Sequence, residues 1–213
     1  MKGYFFTLEG ADGSGKTSII KELKERLEKL NFKVIATREP GGSLISEEIR
    51  KIILDPNNTQ MDVRTEALLY AASRRQHLIE VIIPALKEGK IVLCDRYVDS
   101  SLAYQGFGRD IGFEEVLKIN EFAIDNYLPD LTLYIDVRPS VGLARIKKST
   151  RIQDRLDLEK ISFHEKTYLG YQEVLRCFPK RVKRVLGEAS LKEVIDAAYL
   201  EITKFLRENN ELQ

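Results

Sequence analysis

Gly10-Ala11-Asp12-Gly13-Ser14-Gly15-Lys16-Thr17 fits the pattern GxxxxGK[ST]. It stands between a short aromatic and β-branched run, Tyr4-Phe5-Phe6-Thr7-Leu8, and a stretch in which Ile19, Ile20, Leu23, Leu27 and Leu30 recur at helical spacing. The order is strand, glycine-rich turn, helix. Glycines here let successive backbone N–H groups converge on phosphate oxygens, and the helix that follows adds its positive N-terminal end. In such a loop Lys16 contacts the β- and γ-phosphates and the Thr17 hydroxyl holds Mg²⁺. The segment from Gly10 to Ser18 is therefore the expected nucleoside triphosphate site, and the loop alone does not choose between adenine and guanine.

Outward from this loop the same unit repeats. Residues 33–37 read as a strand, and after a Pro-Gly-Gly turn a helix carries Ile45, Ile49, Ile52 and Ile53 on one face. A long helical region over 64–87 closes at Gly89, and Ile91-Val92-Leu93-Cys94 is an apolar run of the kind buried on both faces of a parallel sheet. Residues 113–127 read as helix, 131–136 as strand and 140–147, after Pro139, as helix. After a basic loop, helices over 158–176 and 191–207 flank a last strand at 181–186. Strands alternating with helical crossovers predict a three-layer α/β fold: a five-stranded parallel sheet covered by helices on both faces, in the manner of P-loop NTPases. One domain over 1–213 is expected, with a mobile lid inserted at about 147–157. Ligands of such sheets gather at the carboxyl ends of the strands.

Composition excludes several classes. Across 213 residues, 34 Lys and Arg nearly balance 33 Asp and Glu, for a formal charge of +1. That balance argues against wholesale binding to nucleic acid or to an anionic membrane, so any anion must be bound locally. Cys94 and Cys177 form no CxxC pair, and His77 and His164 have no HxH or HExxH partner, so neither a disulfide framework nor a metal centre built on them is expected. The longest apolar stretch, 81–86, contains Pro84 and falls far short of the ~20 residues of a membrane span. The N-terminal apolar run is too short for a signal peptide, and a cytoplasmic protein is expected. Lys180-Arg181-Val182-Lys183-Arg184 reads as a solvated edge strand rather than an RNA contact.

A phosphate loop leaves open what receives the phosphoryl group. Asp95 directly follows the apolar strand, as the acid of a hydrolytic switch or motor would, but Arg96 and Tyr97 come next. An arginine beyond a strand end suits a second anion beside the triphosphate. Arg38, Arg50, Arg74 and Arg75 occupy comparable places.

The ordered segments LEGADGSGKT (8–17), TREPGG (37–42), EEIRKIIL (47–54), LLYAASRRQH (68–77), DRYVDSSLAYQG (95–106) and STRIQDRLD (149–157) resemble the thymidylate kinase family, over residues 3 to about 175. The resemblance implies transfer of the γ-phosphoryl group of ATP to dTMP, with ATP and Mg²⁺ as donor and cofactor, and a homodimer formed through helices near 46–54 and 66–82. It implies that Arg38, Arg50 and Arg96 clamp the acceptor phosphate, a task suited to permanently charged, bidentate guanidinium groups. Glu39 and Pro40 would form the turn beside that phosphate, Tyr70 would stack on the ring, and Arg74, Gln105 and secondarily Ser101 would read the thymine edge. Tyr104 would crowd the sugar 2′ position, and Asp12 would accept from the 3′-hydroxyl. Asp95 would orient Mg²⁺ through water. Because Asp12 brings no positive charge to the phosphate loop, the lid would supply it, through Arg151 first, Arg155 next and Arg145 in support.

Two departures stand out. Tyr70 replaces the usual Phe, and Leu186-Gly187-Glu188-Ala189-Ser190 replaces the usual Asp-Ala-Ser turn, leaving donor-base contacts open. Two other readings also remain at this stage: another nucleoside or monophosphate kinase of the same fold, and a P-loop binding or motor protein.

Overall fold

Every residue of β1 (Tyr4–Glu9) is buried, because the strand lies at the centre of the sheet with helices on both sides. The computed structural model describes residues 2–148 and 154–212. Within them, β2 (Val34–Arg38), β3 (Ile91–Asp95), β4 (Leu131–Asp136) and β5 (Val182–Leu186) join β1 in the order β2-β3-β1-β4-β5. All four pairings are parallel. The chain therefore winds outward from β1 first to one side and then to the other. That reversal opens a crevice at the carboxyl end of β1, where Leu8 and Arg38 both pair in register with Asp95.

Alternation along β1 divides the core. Tyr4, Phe6 and Leu8 pack with Ile19, Leu23 and Leu27 of α1 (Lys16–Lys29) and with Ala198, Ile202 and Leu206 of α9 (Leu191–Glu208). Ser190 starts α9 with a capping box, its hydroxyl accepting from Glu193 N while the Glu193 carboxylate accepts from Ser190 N. Phe5 faces the opposite side with Leu78, Ile82, Val92 and Tyr97. On that side, α2 (Leu44–Leu54) packs on α3 (Val63–His77), and a π-helical segment, Leu78–Ile82, runs on into α4 (Ile83–Lys87). This rod is the long helix expected over 64–87.

The stretch after β3 differs from the sequence reading. Residues expected only as a motif form a helix, α5 (Val98–Ser101), continued by a π-helical segment, Leu102–Gly108. Residues 98–106 are all buried, so no polar face marks the helix in the sequence. The remaining helices are α6 (Phe113–Ile124), α7 (Pro139–Lys147) and α8 (Ile161–Cys177), the last starting three residues later than its apolar pattern suggests. The basic stretch runs into β5, an edge strand as expected, but only part of it is solvated. Arg181 is mostly buried and forks onto Asp99 (2.6 and 2.8 Å), and Arg184 pairs with Asp136, so two of its four cations serve internal ion pairs.

Candidate active site

The glycine-rich turn closes β1 onto α1 through backbone that only glycine adopts readily. Gly13 has φ +76°, and a Cβ there would lie 2.3 Å from the Gly142 carbonyl of α7. Lys16 folds back over this turn and donates to Gly10 O (2.9 Å), Ala11 O (3.1 Å) and Ser14 Oγ (3.2 Å). Burial, and then the nearby Arg96 charge, pull its pKa down to about 8, making its positive charge sensitive to an anion placed beside it. Thr17 Oγ1 donates to Asp95 Oδ2 at 3.3 Å. Asp95 Oδ1 is buried and has no hydrogen-bond partner among the described residues. Two hard oxygen ligands, one of them an orphaned carboxylate oxygen, fit Mg²⁺, which takes few protein ligands and completes its shell with water and phosphate.

Arg96 is the hub of the crevice. It sits at φ +71°, in the left-handed region, held by Arg96 N donating to Leu8 O (2.9 Å) and Tyr97 N donating to Glu9 Oε1 (2.7 Å). A bulky residue in that region stores strain that the surroundings must sustain. The backbone turn swings the guanidinium over the phosphate loop. There it donates to Asp12 Oδ1 (2.9 Å), Tyr104 OH (3.1 Å), Tyr171 OH (3.2 Å) and Ser100 Oγ (3.2 Å), and lies over the Tyr104 ring. Burial, the largest single effect, opposes the charge, but Asp12 together with Tyr104, Tyr171 and Asp95 outweighs it and holds the pKa well above the usual range.

A cavity of about 500 Å³ joins this hub to the second strand. Its walls include Asp12, Lys16 and Thr17 of the phosphate loop, with Tyr104 OH donating to Asp12 Oδ2 (3.0 Å), Arg38, Glu39, Pro40 and Arg50 from β2 and α2, and Tyr70, Ser101 and Gln105 from α3 and the helix after β3. The Glu39–Pro40 peptide is cis. Arg50 Nη1 donates to Pro40 O (2.6 Å); burial and then Arg38 lower its pKa. Arg38 Nη2 reaches both oxygens of Glu47 (2.9 and 3.0 Å), which also accepts from Gly42 N. Two cations thus approach one point from separate elements, an arrangement that favours a dianion. Among the described residues no protein group bonds the Tyr70 hydroxyl, which leaves its ring as a wall of the cavity.

Of the remaining expected residues, Arg74 and Arg145 border the cavity and Arg155 does not. Of the five N–H groups of Arg74, four are taken, by Glu39 Oε2 (2.7 Å), Ser101 Oγ, Asn120 Oδ1 and Tyr97 O. A thymine edge could use only the one left. Arg155, expected at the phosphates, instead donates to Glu66 Oε2 (2.6 Å) and Ile53 O (2.9 Å), tying the chain after residue 153 to α2 and α3. Arg145 does stand at the phosphate loop, donating to Gly187 O (3.2 Å), with a longer contact to Gly13 O. Arg151 lies outside the described residues.

Three residues that the sequence reading missed surround the site. Glu9, fully buried under Arg96, accepts from Tyr97 N, Ser100 Oγ (2.5 Å) and Tyr171 OH (3.1 Å); burial and the Asp99 charge push its pKa up to about 7. Its place at the last position of an apolar strand was a readable signal. Tyr171 and Glu66 gave none, since each sits at ordinary helical spacing.

The profile of the thymidylate kinase family matches residues 8–198. This chain belongs to the thymidylate kinase family. The thymidylate kinase of Clostridium novyi is 55% identical to it over 97% of this chain and 99% of its own length. That of Anoxybacillus flavithermus is 53% identical over 97% and 100%. The crystal structure of thymidylate kinase from Ehrlichia chaffeensis superposes with a TM-score of 0.76 at 32% identity, covering 97% of this chain and all of that one. This member of the family is an enzyme of the phosphate-loop type, and among the described residues no helix is long and apolar enough to cross a membrane.

Proposed function

We propose that the protein transfers the γ-phosphoryl group of ATP to dTMP, giving ADP and dTDP. The observation that carries this reading is one cavity lined by the phosphate loop, by Tyr70 with Gln105, and by Arg38, Arg50 and Arg96. Arg38 and Arg50 grip the acceptor phosphate in the ground state. Arg96 stands between the two phosphate positions and stabilises charge as it spreads over the transferring group. Asp12 and Tyr104, bonded to each other and to Arg96, face the deoxyribose. Thr17 and Asp95 would hold Mg²⁺, which when bound neutralises charge on the β- and γ-phosphates. Arg151 would bring a further cation to the transferring group, and Arg151→Ala would then lower turnover far more than it weakens binding of either nucleotide.

A coupled ADP-release assay across dTMP, dUMP, dCMP, dGMP and UMP tests the reaction. The expected result is turnover greatest with dTMP and dependent on Mg²⁺. Turnover of another monophosphate with dTMP at background would overturn it.

The protein would act in the cytoplasm as a homodimer. Leu44, Ile45 and Ile52 of α2 and Leu68 of α3 are exposed large apolar residues on two helices that pack on each other, and the gain from burying them against a second copy supports this reading. Light scattering should give twice the chain mass of 24.5 kDa, and Leu68→Glu should return the monomer. A concentration-independent monomer in the parent would count against pairing.

A further inference from the structure

Glu66 carries no role in the reaction described above, yet it is almost fully buried behind Gln105, a wall of the cavity. Its Oε1 accepts from Gln105 Nε2 at 2.9 Å. Arg109 Nε reaches both carboxylate oxygens (3.2 Å each), and Arg155 Nη2 reaches Oε2 at 2.6 Å. Burial alone would raise its pKa, but Arg109, together with the hydrogen bonds from Gln105 and Arg155, outweighs burial and keeps it below the usual carboxylate range. Glu66 is therefore an ionised group that only accepts hydrogen bonds.

That property removes an ambiguity from Gln105. A carboxamide is nearly symmetric in shape, and turned by half a revolution it exchanges its acceptor for its donors. Thymine presents a donor at N3 and an acceptor at O4; cytosine presents an acceptor at N3 and donors at N4. One orientation of a glutamine complements the first edge and the opposite orientation the second. A carboxylate behind the amide can face only the nitrogen, so Gln105 is held with Nε2 on Glu66. Among the described residues no protein group donates to its Oε1.

We propose that Glu66 is a positioning residue for base specificity: by accepting from Gln105 Nε2 it locks the amide in the orientation that suits a 4-oxo pyrimidine with an N3–H and penalises a 4-amino pyrimidine. The proposal rests on the reading of Gln105 as a base contact. Arg109 and Arg155 hold the carboxylate in place, so turning the amide would set Oε1 against an anion. A buried polar group left facing its like discriminates strongly, whereas shape alone does not.

The test compares kcat/KM for dTMP and dCMP, which share sugar and phosphate, in the parent and in Glu66→Gln, Glu66→Asp and Gln105→Leu. The parent should favour dTMP by about a hundredfold or more. Glu66→Gln, whose own amide accepts either orientation, should shrink that ratio by at least about tenfold, through loss on dTMP and relative gain on dCMP. Glu66→Asp, still acceptor-only, should keep the ratio within about threefold even if both rates fall. Equal losses on both substrates in Glu66→Gln would make Glu66 merely structural and overturn the proposal. Equal use of dTMP and dCMP by the parent would overturn it without any variant. If Gln105→Leu left kcat/KM for dTMP unchanged, the reading of Gln105 itself would fall, and the proposal with it.

Discussion

Arg96→Ala should lower kcat by about 10³ or more, the scale seen when a preorganised charge on a transferring phosphoryl group is removed. The guanidinium bridges Asp12 of the phosphate loop and Tyr104 of the acceptor wall, so one side chain touches both halves of the cavity. Its position at φ +71° is maintained by bonds to Leu8 and Glu9, which fix the charge before substrates arrive. Preorganisation of this kind favours the transition state because no reorientation is needed as charge develops. Arg96→Lys should not rescue turnover beyond about tenfold, because an ammonium cannot make the forked contacts that guanidinium makes to Asp12, Tyr104, Tyr171 and Ser100. Steady-state kinetics with calorimetric binding of dTMP separates the effects: kcat should fall far more than affinity. Turnover of Arg96→Ala within about tenfold of the parent, a barrier change under ~1.4 kcal/mol, would remove Arg96 from the chemistry.

How legible this site was depended on what each residue touches. The phosphate loop and the sheet could be read directly, since strand burial on both faces writes itself as unbroken apolar runs such as Phe5-Phe6 and Ile91-Val92-Leu93-Cys94. The helix over residues 98–108 could not, because burial on every side erases the helical stripe and the π-helical turn breaks the 3.6-residue period. Arginines were the harder problem. Arg38, Arg50 and Arg96 line the cavity, the first two with donors to spare among the described residues. Arg155 is instead consumed by Glu66 and Ile53 O, and Arg74, though it borders the cavity, by Glu39, Ser101, Asn120 and Tyr97 O. A string of letters does not show which partner a given arginine meets. The same holds for Arg181, whose partner Asp99 is distant in sequence. Carboxylates that hold cations in place, Glu9 and Glu66 among them, become visible only with the fold.

Arg74→Ala should destabilise the protein by about 3–5 kcal/mol, the cost of leaving one member of a buried ion pair uncompensated. Arg74 is about 1% exposed and its partner Glu39 about 2%, so the pair is desolvated even though both residues border the cavity. Its other donors satisfy the carbonyl of Tyr97 and the side chains of Ser101 and Asn120, which join α3 to α5 and α6. The loss also reaches the acceptor site. Glu39 precedes Pro40, whose carbonyl accepts from Arg50, so a Glu39 left with only the His77 ring nitrogen (3.1 Å) beside its carboxylate disturbs the turn that sets an acceptor arginine. Urea denaturation should therefore show a lower midpoint together with a raised KM for dTMP. Combining Arg74→Met with Glu39→Gln should restore most of the stability, because removing both charges from a buried pair is often neutral, whereas removing one is not. KM should stay raised in that double variant, since the guanidinium that fixes Ser101 on the cavity wall is still absent. A midpoint for Arg74→Ala within ~1 kcal/mol of the parent, with only KM changed, would mean that Arg74 acts chiefly on the base and that the Glu39 carboxylate is compensated from elsewhere.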